Sequence, residues 1–332
     1  MWVSTYLIDD GDEDEDPFRT CYLYDVHYFN KTFDYNKVRL DLPPEFAIVD
    51  ISKNASMHIV SEHFIQTCNG LVTIVGMNAD VIYLLNPAST QMRKLPRCNN
   101  RSFDILWLGF GFDPLSNDYN ILKVVFAYLS PEDWAPENLV LEADLYSANN
   151  DCWKKVEVPQ PLRGVRPAHY SKCVHAKTGM LYMEGNDEIL SFNLHSEVFE
   201  VYPIHKDETL LKISNVFDFK GSLGMMFKDD VDEGSVVSLW TLDDNVSGNV
   251  YWTKKFNFEI GFNIDWIHLY LGDGQFVALN HELGVIFYDY IKKETKKFPL
   301  LTSFPGEIIS IVKYTESLVS LGGFKPLNLS GG

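Results

Sequence analysis

The 332-residue sequence lacks the patterns of membrane, secreted and zinc-stabilised proteins. No run approaches the ~18 consecutive apolar residues that a transmembrane helix requires. The start, MWVSTYLIDDGDEDED, has no basic segment and leads into an acidic run, so it reads as neither a signal nor a transit peptide. Cys21, Cys68, Cys98, Cys152 and Cys173 are scattered without a CxxC pair, which argues against a zinc site and for a reducing compartment. We therefore expect a cytoplasmic or nuclear protein with no membrane segment and no cofactor.

Basic residues are scarce relative to acidic ones, and the formal net charge is -18. Two runs concentrate the acid, with seven carboxylates in Asp9–Asp16 and four in Asp229–Glu233. An acidic field repels phosphate backbones, and no basic stripe interleaves with aromatic residues, so we expect no nucleic-acid partner. A basic protein fits better, because opposite fields steer encounter. The alternative for residues 1–19 is a solvated, disordered acidic tail, and this is the domain boundary we predict.

Long helical stripes are also missing. Short runs rich in Val, Ile, Leu, Phe, Tyr and Trp are broken by Gly, Asn, Asp or Pro, which is typical of an all-β domain. Groups of four such runs recur at residues 64–96, 105–159, 171–204, 212–258 and 265–300. A sixth group is incomplete, with only IISIVKY and ESLVSLGG near the C-terminus, while TCYLYDVHY and NKVRLDLP near the N-terminus stay unassigned.

We predict a kelch-like β-propeller of six blades over residues 20–324, whose closing blade combines both termini. Residues 20–43 would close the ring with residues 306–322, which removes exposed sheet edges, and residues 325–332 would form a flexible tail. The alternative is a pair of β-sandwiches or an irregular barrel. The third strands favour the propeller, because the turns NPAST and NLHSE follow similar strands and both begin with asparagine.

The segment LGFGFDPLSNDYNILKVV, residues 108–125, contains glycines that could suggest a phosphate loop. A phosphate loop needs its glycines to open a helix, whereas Gly109 and Gly111 alternate with apolar residues and no helix follows. Pro114 presets a turn, and the side chains of Asp113, Asn117 and Asp118 bond nearby backbone N–H groups in such segments. We therefore predict a β-hairpin corner.

Catalytic and metal-binding patterns are absent or weak. No GxSxG nucleophile elbow occurs, and His58 and His63 have no spacing that suits zinc on a strand. Strand alternation would put Cys173 and His175 on one face, but a buried thiol beside an ordinary histidine explains them equally. Carboxylate pairs for glycoside hydrolysis are recognised only from three-dimensional distances. We expect the chain not to be an enzyme and to hold no metal.

Two acidic segments are candidate protein-binding sites. Trp134 lies in the proline-bracketed segment SPEDWAPEN, and an exposed aromatic among acids suits an interface anchor. The segment DDVDEGS is the second candidate, and the alternative for both is a solvated hairpin. The candidate residues are Glu132, Asp133, Trp134, Asp229, Asp230, Asp232 and Glu233. By contrast, the tryptophans inside predicted strands are expected to fill gaps between blades.

Several short motifs, taken in order, resemble the plant F-box-associated interaction domain, and among its members the S-locus F-box proteins. They are CNGLV, LLNPASTQMRKLP, GFGFDPLSNDYNILKVV, DLYSANNDCWKKVE, ILSFNLHSEVFEVYPI and SLWTLDD followed by NVYWTKKFNF. Asn120 and Asn193 depart from the family pattern, at turns or strand ends. By this resemblance, structural roles fall to Cys68, Asn69, Gly70, Asn86, Pro87, Gly109, Gly111, Asp113, Asn117, Asp118, Tyr119, Trp153 and Trp252.

The resemblance implies the substrate-recognition part of an SCF-type ubiquitin ligase, and for S-locus relatives a basic ribonuclease as target. Members usually begin with a helical F-box, and nothing before Cys68 reads like one, so a Skp-type adaptor and cullin are expected partners only if an F-box lies upstream. The alternatives are a propeller hydrolase with a carboxylate site in its central channel and a scaffold protein without a ubiquitin role.

Overall fold

The computed structural model describes most strands of the chain and the turns between them. The described residues are 2–7, 20–29, 32–41, 65–75, 81–89, 91–98, 105–128, 139–159, 162, 173–176, 178–185, 188–204, 212–231, 234–244, 250–272, 274–280, 284–297, 310–312, 315, 317–320, 322 and 325–326. Within these ranges the regular structure is β-strand, as the alternating apolar runs predict.

The strands are numbered in chain order. Near the N-terminus lie β1 (Trp2–Leu7), β2 (Thr20–Phe29) and β3 (Thr32–Asp41). Blade 1 comprises β4 (Ile65–Cys68), β5 (Leu71–Val75), β6 (Ile82–Asn86) and β7 (Gln91–Lys94). Blade 2 comprises β8 (Ile105–Asp113), β9 (Asp118–Tyr128), β10 (Leu139–Ser147) and β11 (Cys152–Val156).

Blade 3 comprises β12 (Cys173–Ala176), β13 (Met180–Glu184), β14 (Glu188–Asn193) and β15 (Val198–Pro203). Blade 4 comprises β16 (Lys212–Phe219), β17 (Ser222–Val231), β18 (Gly234–Asp244) and β19 (Val250–Ile260). Blade 5 comprises β20 (Trp266–Gly272), β21 (Gln275–Asn280), β22 (Gly284–Asp289) and β23 (Glu294–Lys297). The last strands are β24 (Ser310–Val312) and β25 (Lys325–Pro326).

Each blade is an antiparallel sheet with four strands that follow one another in the chain, and in blade 1 β25 adds a fifth strand beside β7. The first strands contact each other from blade to blade, β4 with β8, β8 with β12, β12 with β16 and β16 with β20, so they form the inner wall. Apolar clusters fill the spaces between successive blades, as where Trp107 of blade 2 packs with Leu181 of blade 3. This is an all-β propeller, and it confirms the predicted fold class.

The number of blades differs from the prediction. Among the described residues there are five blades of consecutive strands instead of six, because the described part of the sixth group contributes the three-residue β24 alone to a four-stranded sheet. β24 pairs with β1 in an antiparallel sheet of order β24-β1-β2-β3. We name it the mixed sheet because its strands come from both ends of the sequence. β1 lies inside the predicted acidic tail, since WVSTYL is rich in β-formers. The predicted strand ESLVSLGG is not part of this sheet.

The segment around Gly109 is a hairpin, as predicted. β8 and β9 pair from Asp113 and Asp118 inwards, with Gly111 opposite Asn120. One carboxylate oxygen of Asp113 accepts a hydrogen bond from the backbone N–H of Leu115 at 2.9 Å, and the other accepts one from the Ser116 hydroxyl at 2.6 Å. Asn117 adopts a left-handed φ of 52°, which asparagine tolerates better than most residues.

A similar turn recurs between the third and fourth strands of four blades. Its first residue is Asn86, Ser147, Asn193 or Asp289, and the side-chain oxygen accepts a backbone N–H three residues later, from Ser89, Asn150, Ser196 or Lys292. In three of these turns the residue after the N–H donor has a positive φ; these residues are Asp151, Glu197 and Lys293. The turn is therefore set locally by short polar side chains.

Tryptophans connect neighbouring blades through hydrogen bonds as well as packing. Trp153 of blade 2 donates its indole N–H to the carbonyl of Pro96, just after blade 1, at 2.8 Å. Trp252 of blade 4 does the same to Pro203 of blade 3, also at 2.8 Å. Trp107 is 1% exposed and donates to the Glu184 carbonyl of blade 3 at 3.1 Å.

Candidate protein-binding faces

The four-stranded meander gives the propeller two chemically different faces. The turns after the first and third strands emerge at one end of each blade, which we name the turn face. The connections after the second strand emerge at the other end, which we name the carboxylate face. Contacts between blades show that the turns share one side: His195 Nδ1 in blade 3 lies 3.1 Å from the Asp113 carboxylate in blade 2.

Four carboxylates of the turn face are engaged by groups of the protein itself. Asp113 and Asp289 accept backbone N–H groups of their own turns. Asp151 pairs with Arg93, and Glu197 pairs with Lys154 across the boundary between blades 2 and 3. Large apolar side chains are exposed here instead, among them Leu115 at 74% and Ile291 at 66%. Isolated exposed apolar residues are common on protein surfaces, so these alone do not define a binding site.

The carboxylate face carries acidic side chains at several strand ends. Glu157 and Glu259 lie at the ends of the fourth strands of blades 2 and 4 and are exposed, and Glu188 begins the third strand of blade 3. Asp229 and Glu259 both lie opposite Val236 in register, so they are on the same side of blade 4. Among the described residues, these four carboxylates make no ion pair with a described cation.

The described strand ends that flank both candidate segments lie at this face. Tyr128 pairs with Leu139 and Val231 pairs with Gly234, so the strand ends that flank residues 129–138 and 232–233 lie at the carboxylate face of blades 2 and 4. Asp229 is half-buried, and Asp230 lies at the end of β17. Glu132, Asp133, Trp134, Asp232 and Glu233 lie outside the described residues, so their role as binding residues stays a prediction.

The structure brings several motif residues together at blade 1, where no local pattern of the sequence indicates a cluster. Asn69 and Gly70 form the first turn with φ values of 46° and 83°, and Asn86 begins the second turn. A segment near the C-terminus crosses both turns, and the Asn86 amide donates to its carbonyls at Ser317 and Val319. This cluster was missed because its partners lie more than two hundred residues apart in the chain.

Asp118 and Tyr119 stabilise the hairpin of blade 2. The Asp118 carboxylate accepts the Ser147 hydroxyl at 2.6 Å and the Asn149 backbone N–H at 2.9 Å, so it joins the two turns of the blade. Tyr119 is buried and packs against Phe112, with ring centroids 4.9 Å apart. Asn120, which departs from the family pattern, donates its amide to the Tyr146 carbonyl at 3.2 Å inside the sheet.

Potential metal ligands and thiols are spread over the described blades and do not cluster there. In the described ranges no group of three or more His, Cys, Asp or Glu side chains is arranged to hold a metal ion. Burial raises the pKa of the Cys68 thiol to about 12, so it is un-ionised near neutral pH. Cys173 and His175 alternate in β12, opposite Met183 and Leu181. Across the same ranges, no helix has the length and apolarity needed to cross a bilayer.

A family model of the F-box associated beta propeller domain matches residues 29–302, which is most of the chain. The chain belongs to this family. Its matched region includes all five blades of consecutive strands. The resemblance of the motifs to an F-box associated domain is thus confirmed at the level of the family.

A curated relative is the F-box protein At3g07870 of Arabidopsis thaliana, 38% identical over 64 residues. That match covers 19% of this chain and 15% of the relative. Among solved structures, a DUF4784 family protein from Bacteroides caccae shares 11% identity at a TM-score of 0.41, covering 88% of this chain and 80% of its own. The dihydro-heme d1 dehydrogenase NirN shares 10% identity at a TM-score of 0.41, and the match covers 74% of this chain and 46% of NirN. Likenesses this distant carry no functional argument.

Proposed function

We propose that this F-box associated domain is the target-recognition module of an SCF-type ubiquitin ligase, and that its carboxylate face binds a basic protein. Membership of the family supports a protein partner in the context of F-box proteins. The observation that supports the face is the set of carboxylates at Glu157, Glu188, Asp229 and Glu259, beside the ends of two acidic segments. The chain supplies binding and orientation, and it makes and breaks no covalent bond itself.

The choice of face follows from how the acids of the two faces are used. On the turn face, Asp113, Asp151 and Asp289 are occupied by caps and an ion pair, so their charge is already balanced or buried. Unpaired carboxylates retain their field, and complementary fields raise association rates and select against like-charged partners. A basic partner therefore gains most by approaching the carboxylate face.

The proposal includes closure of the ring by the mixed sheet. β24 contacts both β20 and β4, the inner strands of the last and first blades, which supports its placement between them. In a closing blade of order β24-β1-β2-β3, β1 and β2 are the second and third strands. The strand ends at Leu7 and Thr20, which flank the acidic run Asp9–Asp16 in sequence, accordingly lie at the carboxylate face. The described strand ends next to all three acidic segments are then on one side.

The partner is proposed to be a basic protein of the cytoplasm or nucleus, with a basic ribonuclease as the target class that the S-locus resemblance suggests. In the described part of the chain, Cys68, Cys98 and Cys152 carry thiols and are not joined in disulfides, which suits a reducing compartment. The adaptor and cullin would join through an F-box supplied outside the matched domain. Co-purification of a Skp-type adaptor with a longer gene product, and not with this chain, is the expected result.

Binding to a panel of purified proteins tests the carboxylate face. The panel contains a basic ribonuclease, a basic protein that is not a ribonuclease, and an acidic protein, each titrated at about 50 and 200 mM salt. We expect binding to basic members that weakens at least fivefold between the two salt concentrations. Binding that ignores salt, or that favours the acidic protein, would count against the proposal.

Paired variants with equal charge change then locate the surface. Asp229→Asn with Glu259→Gln removes two negative charges from the carboxylate face. Leu115→Lys with Ile291→Lys adds two positive charges to the turn face, where both side chains are exposed. We expect the first pair to weaken binding at least threefold and the second pair to leave it within twofold. Equal losses would show that only net charge matters.

A further inference from the structure

A segment near the C-terminus lies across blade 1 and is held by polar groups of that blade. We name it the strap; its described residues are Thr315, residues 317–320, Gly322 and Lys325–Pro326. The Asn86 side-chain amide, which is fully buried, donates to the carbonyl of Ser317 at 2.9 Å and to that of Val319 at 2.7 Å. The two N–H groups of one amide thus reach the carbonyls of residues 317 and 319. Carbonyls two residues apart point to the same side when the backbone is extended.

Arg93 makes a second backbone contact with the strap. Its guanidinium is 6% exposed and donates to the carbonyl of Gly322 at 2.6 Å. The same group donates to the Tyr146 hydroxyl at 2.8 Å and pairs with Asp151, so blade 2 fixes its orientation. A guanidinium held in this way is preorganised for the carbonyl, which lowers the entropy cost of the contact.

Gly70 provides the space that the strap needs. A side chain added at this position would place its Cβ 2.2 Å from the Cβ of Ser317 and 2.7 Å from the carbonyl oxygen of Thr315. Gly70 also has a φ of 83°, so both its backbone and its lack of a side chain are required here. The CNGLV motif therefore shapes the floor of the strap's path.

Packing and sheet pairing complete the contact. Val319 packs against the apolar cluster that contains Cys68 and Leu84. The preceding residue, Leu318, points outwards and is 89% exposed. Lys325 and Pro326 pair with Met92 and Gln91, so the strap adds a fifth strand to the outer edge of blade 1. Addition of a strand to a free edge is a recurring mode of peptide recognition.

We propose that blade 1 carries a peptide-binding groove for extended segments, and that the chain's own strap occupies it as a ligand in cis. The groove reads backbone carbonyls through Asn86 and Arg93, demands a small residue over Gly70 and accepts an aliphatic side chain at the position of Val319. Because the strap is tethered, its effective concentration is high, and it excludes peptides in trans unless it is weakened.

Comparison with blade 3 separates this groove from ordinary turn capping. Asn193 occupies the same turn position as Asn86, and its side-chain oxygen accepts the backbone N–H groups of His195 and Ser196 at 2.9 and 3.0 Å. Of these two described asparagines, Asn86 is the one whose side-chain amide donates to the strap. Asn193→Ala is therefore a matched control that removes a turn cap and leaves the groove intact.

The test uses the full chain and a fluorescein-labelled peptide of the sequence TESLVSLGGFKP, residues 315–326. Val319→Asp weakens the strap by placing a charge against the apolar cluster, while every groove residue stays as it is. We expect the Val319→Asp chain to bind the peptide at least tenfold more tightly than the unaltered chain. Adding Asn86→Ala should reverse that gain by at least tenfold, and adding Asn193→Ala should change it by less than twofold.

Hydrogen exchange provides a readout that does not depend on the Val319→Asp chain being folded. In the otherwise unaltered chain, Asn86→Ala should accelerate exchange of the strap amides at least tenfold, and Asn193→Ala should leave them protected. The proposal would be overturned if the Val319→Asp chain bound the peptide no more tightly than the unaltered chain. It would also be overturned if Asn86→Ala and Asn193→Ala had equal effects in either experiment. Failure here leaves the carboxylate-face proposal untouched, since no residue is shared.

Discussion

At the scale of single residues, the two indole hydrogen bonds between blades should contribute to stability separately. Trp153→Phe and Trp252→Phe each keep an aromatic ring and remove the N–H that reaches a proline carbonyl. A hydrogen bond of this kind contributes about 0.5–1.5 kcal/mol net, so each variant should lose about 1 kcal/mol of unfolding free energy. Urea denaturation of both single variants and the double variant measures this.

The same measurement examines whether the bonds are independent. The two tryptophans lie in blades 2 and 4 and share no partner, so their losses should add to within about 0.5 kcal/mol. A loss in the double variant far larger than the sum would mean that the blades are coupled through the ring. No loss in either single variant would contradict the assigned role of the indole N–H.

Thiol reactivity is a second prediction at the residue scale. Cys152 is exposed, whereas Cys68 is buried with its thiol pKa raised to about 12 by desolvation. Since the thiolate is the reactive form, Cys152 should react quickly with a disulfide reagent at pH 8 and Cys68 only after unfolding. Cys152→Ser should remove a rapidly reacting thiol, and Cys68→Ser should leave the rapid phase unchanged.

At the scale of the element, the turn led by Asp113 makes stability depend on pH. Burial raises the pKa of this carboxyl, but hydrogen bonds from Ser116, the Leu115 N–H and His195 outweigh burial and leave the pKa below its usual value. The stabilisation is therefore present above the unfolded-state pKa near 3.9 and is lost as pH falls through the lower folded value.

Asp113→Asn should accordingly destabilise the protein near pH 6, and the deficit should shrink as pH falls below about 4. Unfolding free energies at several pH values between about 2 and 6 measure this. Leu115→Ser, in the same turn with an exposed side chain, is the control and should show no such trend. A constant deficit for Asp113→Asn at every pH would mean that its charge does not contribute.

Elements with local causes could be predicted from the sequence, and elements with distant causes could not. The hairpin at Asp113 and the turns at Asn86 and Asn193 are set by side chains that bond backbone groups two or three residues away, so their sequence identifies them. The strap reads as a strand, because ESLVSLGG alternates like one. Its partners Gly70 and Asn86 lie far back in the chain, and no local pattern marks that pairing.

At the scale of the whole molecule, the two faces follow from one repeated meander. Every blade places its capped turns on one side and its second-to-third connections on the other, so a local preference for short polar side chains at turns becomes a property of a whole face. Carboxylates used as caps, such as Asp113 and Asp289, are buried against their own turns, whereas Glu157 and Glu259 at the opposite strand ends are exposed to a partner. The face could not be chosen from sequence alone, since both sides contain many acidic residues.

Ring closure is the prediction that concerns the whole chain. β24 pairs with β1 through Val3, Ser4 and Thr5, opposite Val312, Ile311 and Ser310. Ile311→Pro removes a backbone donor at the centre of this three-residue strand and restricts its φ. If the mixed sheet closes the ring between blades 5 and 1, opening it exposes the inner strands on both sides and lowers the stability of the entire propeller.

We therefore expect Ile311→Pro to unfold in one cooperative transition at a melting temperature several degrees lower, with near-ultraviolet circular dichroism and tryptophan fluorescence changing together. The measurement uses a Trp2→Phe background, because Trp2 lies in β1 and would itself report the sheet that contains β24. In that background Trp107 and Trp153 report blade 2, far from the substitution in sequence, so the coincidence of their signal with the global transition is the informative part. An early transition that leaves tryptophan fluorescence unchanged, followed by a main transition at the original temperature, would show instead that the mixed sheet folds apart from the five blades. Whichever of these two outcomes is observed decides whether the mixed sheet is part of the cooperative propeller or a separately folding unit.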